Sequence, residues 1–173
     1  MKKISETGII TLFLMMMMGC GDRMPEIGEQ APDFLLNDVN GREVSLNDYK
    51  GKIVLLHFWG DWCSECRSEF PVMQNSYEKF GDMAQAEILC VNVGQSKYHV
   101  EDFQIEFNVT FPMLVDEYAK TAKRYKIKGI PTTFVLSREG VILEVYVGWL
   151  TEQYIFDRIG RRTENKTASQ NGP

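Results

Sequence analysis

Residues 58–71 read FWGDWCSECRSEFP, and two cysteines, Cys63 and Cys66, stand near its centre. The stretch before them is IVLLHFW, residues 53–59, apolar throughout except His57. A strand buried on both faces of a sheet has that composition. The residues beyond the cysteines have a helical period. Phe70, Met73, Tyr77 and Phe80 fall at i, i+3, i+7 and i+10, the spacing of one helix face. The stretch therefore reads as strand, loop, CxxC, helix. Pro71 lies inside the helical pattern. It is expected to kink that helix rather than end it, because the period continues to Phe80.

Strand and helix patterns extend outward on both sides. Upstream, DFLLNDVNGREVSL (residues 33–46) places two strand-like runs around Asn40-Gly41, a strong hairpin signal. KGK at 50–52 reads as a turn. Downstream, AEILCVNV (86–93) reads as a second buried strand, and Val100, Phe103 and Phe107 mark an amphipathic helix. FPMLVD (111–116) is a short strand. EYAKTAKRY (117–125) is expected to be helical, with Tyr118, Ala122 and Tyr125 on one face. GIPTTFVLS (129–137) turns into a strand, and the tight turn REG leads into VILEVYV (141–147). Thr151 can cap a last helix, EQYIFDRI. The polar tail from Gly160 reads as disordered. The order is a hairpin followed by β-α-β-α-β-α-β-β-α. That is one α/β domain, with strands parallel where helices carry crossovers and antiparallel at the last hairpin.

The chain of 173 residues, 44% hydrophobic and 25% charged, has room for one real core. Its net charge of −5 leaves no basic surplus to match a phosphate backbone, so no nucleic-acid partner is expected.

The N-terminus stands apart. Lys2 and Lys3 precede GIITLFLMMMM (8–18), shorter than the roughly 20 apolar residues of a membrane span and the length of a signal-peptide core. It stops at Gly19-Cys20, which resembles the lipobox of bacterial lipoproteins, where the cysteine is lipidated and becomes the new N-terminus. Met17 and Met18 depart from the usual Leu and small residue, and Glu6 is unusual in a basic leader. A plain secretory signal and an uncleaved anchor remain alternatives. All three place the domain outside the cytoplasm, facing the periplasm or cell exterior, and lipid on Cys20 would anchor it to the membrane without spanning it. The expected organisation is a signal peptide at 1–19, lipidated Cys20 and tether at 20–27, a domain at 28–160 and a tail at 161–173.

Export bears on the thiols, because an oxidising compartment turns them into disulfides unless something keeps them reduced. With Cys20 set aside, Cys63 and Cys66 are the obvious pair. Cys90, inside EILCVNV, reads as a small buried hydrophobe. At the start of a helix, unpaired N–H groups and the helix dipole favour an anion. Cys63 is placed there, and the thiolate is the reactive form. Cys66, in the first turn on the same side, can attack a mixed disulfide formed by Cys63. Cys63 is thus the expected attacker and Cys66 the resolver. One CxxC is half a zinc site, and the two histidines, His57 and His99, sit in a strand and before a helix. A structural disulfide closing so short a loop constrains little. A peroxidase of the peroxiredoxin pattern needs Thr three residues before its cysteine, where this chain has Gly60. No metal and no cofactor are expected.

FWGDWCSECRSEFP together with GIPTTFV resembles the thioredoxin superfamily, and within it the ResA/TlpA branch of membrane-anchored thiol–disulfide oxidoreductases. The likeness runs from about Gly28 to Ile159. It includes the N-terminal hairpin, CVNVGQSKYHV, and a helix and strand between Lys97 and Val115 that small thioredoxins lack. The fold it implies is a three-layer α/β/α thioredoxin-like domain with an N-terminal β-hairpin and a central helix–strand insertion. The resemblance also implies roles for particular residues. Pro131 is expected to be cis and to sit against the CxxC, leaving the Ile130 backbone to pair with substrate as a short strand. Glu69 is expected to influence the thiols and move protons during exchange. Trp62 is expected to shield the pair and shape the contact surface. Gln95 stands where the branch often has Glu, and Ser64-Glu65 where it often has Glu-Pro. Glu65 places negative charge beside the thiols, which opposes thiolate formation and favours a reductant over a strong oxidant.

The implied activity is reduction of disulfides in exported proteins, with the oxidised CxxCH of apocytochrome c as the leading substrate, by a monomer that a membrane thiol reductant recharges. A general reductase or oxidant of exported proteins is one alternative. A copper carrier on the same fold is another, although such carriers use a longer cysteine spacing and a His near the cis-Pro segment, and no His follows His99.

Overall fold

The structure is a computed structural model that describes residues 23–79 and 85–159. The expected signal segment, Cys20, Phe80 and the tail from 160 lie outside the described residues. The elements in chain order are β1 (Leu35–Asp38), β2 (Glu43–Ser45), a 3-10 turn (Leu46–Tyr49), β3 (Ile53–Trp59), α1 (Ser64–Lys79), β4 (Ala86–Val93), α2 (Lys97–Glu106), β5 (Met113–Asp116), α3 (Lys120–Arg124), β6 (Thr132–Leu136) and β7 (Ile142–Val147). Helix α4 comes last, at 152–159. Among the described residues these strands form one sheet in the order β2-β1-β5-β4-β3-β6-β7.

All seven residues of β3 are buried, because helices or loops cover both faces of the sheet. Ile53, Leu55 and Trp59 face one core with Phe70 and Met73 of α1, Phe103 of α2 and Ile155 of α4. Val54, Leu56 and Phe58 face the other with Phe34, Ala122 and Tyr125. The result is the expected three-layer α/β/α arrangement. The hairpin between β1 and β2 closes where Asn40-Gly41 placed it. Gly41 takes φ 81°, and Asp38 Oδ1 accepts from the Asn40 and Arg42 N–H groups at 2.9 Å each.

Helix α1 runs unbroken from Ser64 to Lys79 with Pro71 inside it. Pro71 faces solvent, and the missing N–H costs one exposed hydrogen bond rather than a buried one.

Two expectations need correction. The helix expected over 117–125 is only Lys120–Arg124. Ala119 sits in the left-handed region at φ 53°, and Asp116 Oδ2 holds the Ala122 N–H at 2.8 Å, which starts the helix late. Tyr118 is left 70% exposed, while Ala122 and Tyr125 are buried. The second correction is strand direction. β3, β4 and β5 are parallel, but β6 runs antiparallel to β3 although a helix precedes it. A five-residue helix rises only about 7.5 Å, and a parallel return takes a dozen or more residues. β6 therefore starts at the end of the sheet where β3 stops, with Thr132 opposite Phe58. That reversal carries residues 129–131 to the loop that holds the cysteines.

Candidate active site

Cys63 precedes the first residue of α1, and Cys66 lies in its first turn. Both thiols are free of a disulfide and buried, Cys63 at 6% exposure and Cys66 at 0%. The Cys66 N–H donates to Cys63 Sγ at 3.2 Å. This is the helix-start contact that suits a sulfur anion. Cys63 Sγ also lies 3.8 Å from Glu65 Oε2 and 3.8 Å from the Ile130 carbonyl oxygen. The charge expected beside the thiols is thus in contact with Cys63. The carboxyl of Glu65 is held below the usual range, first by its own backbone N–H and then by the Ser64 hydroxyl. Cys66 behaves oppositely. Burial pushes its thiol well up, with the neighbouring Cys63 and the Glu69 carboxyl adding to the effect.

The Ile130–Pro131 peptide is cis, and Pro131 is buried beside the thiols. The β3 and β7 ladders begin beyond it, at Thr132. Gly148 N–H donates to the Pro131 carbonyl at 3.0 Å, so the end of β7 also reaches this turn. Trp62 is 69% exposed, and Trp149, one residue past Gly148, is 51% exposed. A Cβ on Gly60 would lie 2.8 Å from Trp62 Nε1 and 3.1 Å from Ile130 Cδ1. Trp62 and Ile130 therefore converge over Gly60, beside Cys63.

Glu69 is fully buried. Its Oε2 accepts the Leu150 N–H at 2.7 Å, and its Oε1 stands 3.1 Å from His57 Nε2. Sequence reasoning missed this partner. A buried polar side chain needs one, so the single polar residue of IVLLHFW was the signal available. Gln95 likewise does more than lack a charge. Its Oε1 accepts the Asp61 N–H at 2.8 Å and the Asn92 amide at 2.9 Å, which fastens the CxxC loop to the end of β4. Arg67 bonds Asp61 and Glu106 and lies 5.3 and 5.0 Å from the Phe103 and Phe107 ring centres. Cys90 is buried, and its thiol is pushed up by burial first and by Glu69 next. Among the described residues no group of three or more His, Cys, Asp or Glu side chains is placed to hold a metal ion.

A buried dithiol at the start of a helix, faced by a cis-proline turn on this sheet, defines a thioredoxin-fold thiol–disulfide oxidoreductase. The chain belongs to the AhpC/TSA family, whose sequence profile matches residues 27–145. The thiol–disulfide oxidoreductase ResA of Bacillus subtilis is 42% identical over 130 residues, 75% of this chain and 72% of that protein. The thioredoxin-like protein YneN of the same organism is 38% identical over 127 residues, 73% of this chain and 74% of that protein. Among solved structures, a thiol:disulfide interchange protein DsbE from Chlorobium tepidum superposes with a TM-score of 0.70 at 31% identity, over 79% of this chain and 99% of that one. StoA from Bacillus subtilis gives 0.65 at 31% identity, over 73% and 96%. Within its family the protein is thus a ResA-like thiol–disulfide oxidoreductase.

Proposed function

We propose that this enzyme is an extracytoplasmic reductant of disulfides in exported proteins, with the CxxCH disulfide of apocytochrome c as its leading substrate. The observation that carries the reading is the asymmetry of the two thiols. Cys63 Sγ meets the helix-start N–H of Cys66 and the open turn at Ile130, while burial holds Cys66 protonated. Cys63 attacks the substrate disulfide, forming one mixed disulfide and releasing one substrate thiolate. Cys66 gives its proton to Glu69 and attacks Cys63 Sγ. The second substrate thiolate leaves, and the enzyme departs as the Cys63–Cys66 disulfide. Two electrons pass to the substrate, and a membrane thiol reductant returns them.

Substrate backbone pairs with Ile130 as a short added strand beside Pro131, and Trp62 covers the exchange. A dithiol whose resolving thiol is held protonated by burial makes a better reductant than a strong oxidant, whose reduced form is stabilised. The leader with Cys20 supplies export and a lipid anchor. Among the described residues no helix is long and apolar enough to cross a membrane.

The test is capture. Cys66→Ala leaves Cys63 able to attack but removes the resolver, so the variant expressed in cells should accumulate mixed disulfides with exported proteins, apocytochrome c among them. Capture of nothing, or equal capture by Cys63→Ala, overturns the assignment of attacker and resolver. Capture of exported proteins without any CxxCH protein leaves a general reductase.

A further inference from the structure

Two buried titratable groups at the site, His57 and Cys90, are not used by the proposed exchange, and His57 is the one that faces the Glu69 carboxylate directly. It lies in the middle of β3, opposite Cys90 on β4 and Thr133 on β6, with no exposed surface. Thr133 Oγ1 is 2.9 Å from Nδ1. With the hydroxyl donating there, the ring proton lies on Nε2, and Nε2 is 3.1 Å from Glu69 Oε1. Neither of these two atoms has a well-aligned hydrogen-bond partner, and both are fully buried. Two unpaired polar atoms facing each other across one proton's width, in a place without water, are costly unless they share that proton.

The surroundings define what the pair can do. From α1 come Glu69, Cys66 above it and the edge of the Phe70 ring, 6.3 Å from the imidazole centre. From β4 comes the Cys90 thiol, which feels both Glu69 and Cys66. Behind Thr133 on β7 lies Tyr146, whose hydroxyl donates to the Trp149 carbonyl. The chain entering α4 supplies the Leu150 N–H, and Arg158 of α4 is held by Glu144 at 2.6 and 2.9 Å. The two oxygens of Glu69 are thus addressed by one backbone N–H and one imidazole.

We propose that His57 is a positioning residue for the resolving step. Its Nε2–H, fixed in tautomer by Thr133, faces Glu69 Oε1 and holds the carboxylate where it accepts the Cys66 proton. The inference rests on the proposed role of Glu69 as that acceptor. In the resolving step the Cys66 S–H bond breaks and Glu69 gains the proton. The Cys66 sulfur forms a bond to Cys63 Sγ as the bond from Cys63 to the substrate sulfur breaks. The electron pair of that bond leaves on the substrate thiolate. His57 changes neither its own bonds nor the electron count.

The experiment separates the two chemical steps. The full chain with Cys20→Ser is reduced and mixed in a stopped-flow instrument with one equivalent of the disulfide of nitrothiobenzoate, whose coloured thiolate is released once by Cys63 and once by Cys66. His57→Phe should leave the first release within about twofold and slow the second, concentration-independent release by about tenfold or more at neutral pH. His57→Gln, which places an amide N–H near the Nε2 position, should recover the second release to within about threefold of the native rate. Glu69→Gln should slow it as His57→Phe does, and the double variant should be no slower than Glu69→Gln alone, since both act through one carboxylate. Where His57→Phe does not fold, as judged by circular dichroism, Thr133→Val takes its place in the cycle. A native second release in His57→Phe or its substitute, beside a slow one in Glu69→Gln, overturns the inference and leaves the role of Glu69 standing. Multiplicative slowing in the double variant overturns it too. A native second release in Glu69→Gln removes Glu69 from the mechanism, and His57 with it.

Discussion

The Trp62 indole lies so close to Gly60 that a Cβ on residue 60 would stand 2.8 Å from its Nε1. The atoms in the way, Trp62 Nε1 and Ile130 Cδ1, are the far ends of side chains, so they can move. Gly60→Ala should cost little stability, within about 1 kcal/mol. It should displace Trp62 from its place beside Cys63 and slow reduction of a protein disulfide several-fold, with little effect on a small aromatic disulfide. Tryptophan fluorescence and the two rates check this. Equal loss on both disulfides would show that Trp62 does not contact protein substrates.

Glu65 can be relieved of its charge with little change of shape. Its carboxylate stands 3.8 Å from Cys63 Sγ and faces solvent. Glu65→Gln removes a like charge from a developing thiolate, so the attack of Cys63 should speed up several-fold. The gain should shrink as salt rises, because exposed charges are screened. A salt-independent change would have to come from altered hydrogen bonding at Ser64 instead.

The raised Cys66 thiol sets how the reduction potential responds to pH. A two-electron couple that takes up two protons shifts by about 59 mV per pH unit, and one that takes up a single proton by about 30 mV. Cys66 keeps its proton through neutral and mildly alkaline pH. The slope should therefore stay at or above about 30 mV per unit to about pH 10. The potential at pH 7 should lie nearer the value of about −270 mV typical of thioredoxin than the value of about −120 mV of the strongest dithiol oxidants. Titration against thiol buffers measures both.

The same burial gives alkaline pH a direction of effect on stability. Cys66, Cys90 and Tyr125 are all pushed up by burial. In the unfolded chain these groups lose their protons at ordinary values, about 8.5 for thiols and about 10 for tyrosine. In the folded protein they keep them to higher pH. Between those limits the folded state binds more protons, so stability is fully present below the unfolded values and falls as pH rises through the window. Urea unfolding of the reduced enzyme should show the midpoint dropping from about pH 8.5 upward. Cys90→Ala should flatten the thiol part of that decline. A midpoint constant to pH 10.5 would contradict the burial of these groups.

Phe70 offers a test of the packing that carries the site. It is fully buried, and its ring centre lies 4.7 Å from those of Trp59 and Phe103 and 6.3 Å from that of His57. Phe70→Ala should cost about 3 to 5 kcal/mol, read by denaturant titration. A Leu replacement should recover much of that loss.

Much of this site was readable in the chain because its chemistry is local. Cys63, Cys66 and the helix after them lie within one continuous stretch, and Ser64–Lys79 keeps to the period of its apolar residues. Pro131 and Ile130 were placed against the thiols by resemblance, since nothing local ties residue 131 to residue 63. The short α3 and the reversed β6 were hidden because Asp116 and Ala119 delay the start of the helix through geometry that EYAKTAKRY does not advertise. His57 escaped for a related reason. Its partner comes from a helix on another layer, and a lone histidine in an apolar strand announces a need for a partner without naming it. Gln95 was read for the charge it lacks, whereas its amide oxygen ties two loops together.

The antiparallel entry of β6 has a consequence for timing. Cys63 meets Ile130 across 67 positions of sequence, and Glu69 meets Leu150 across 81. Neither contact can form until nearly the whole domain has emerged and folded. A nascent chain presenting only its first cysteines thus has ordinary thiols, without the turn or the buried carboxylate beside them. Competence for the proposed exchange therefore belongs to the folded domain and not to the CxxC stretch alone, since both contacts join residues far apart in the chain.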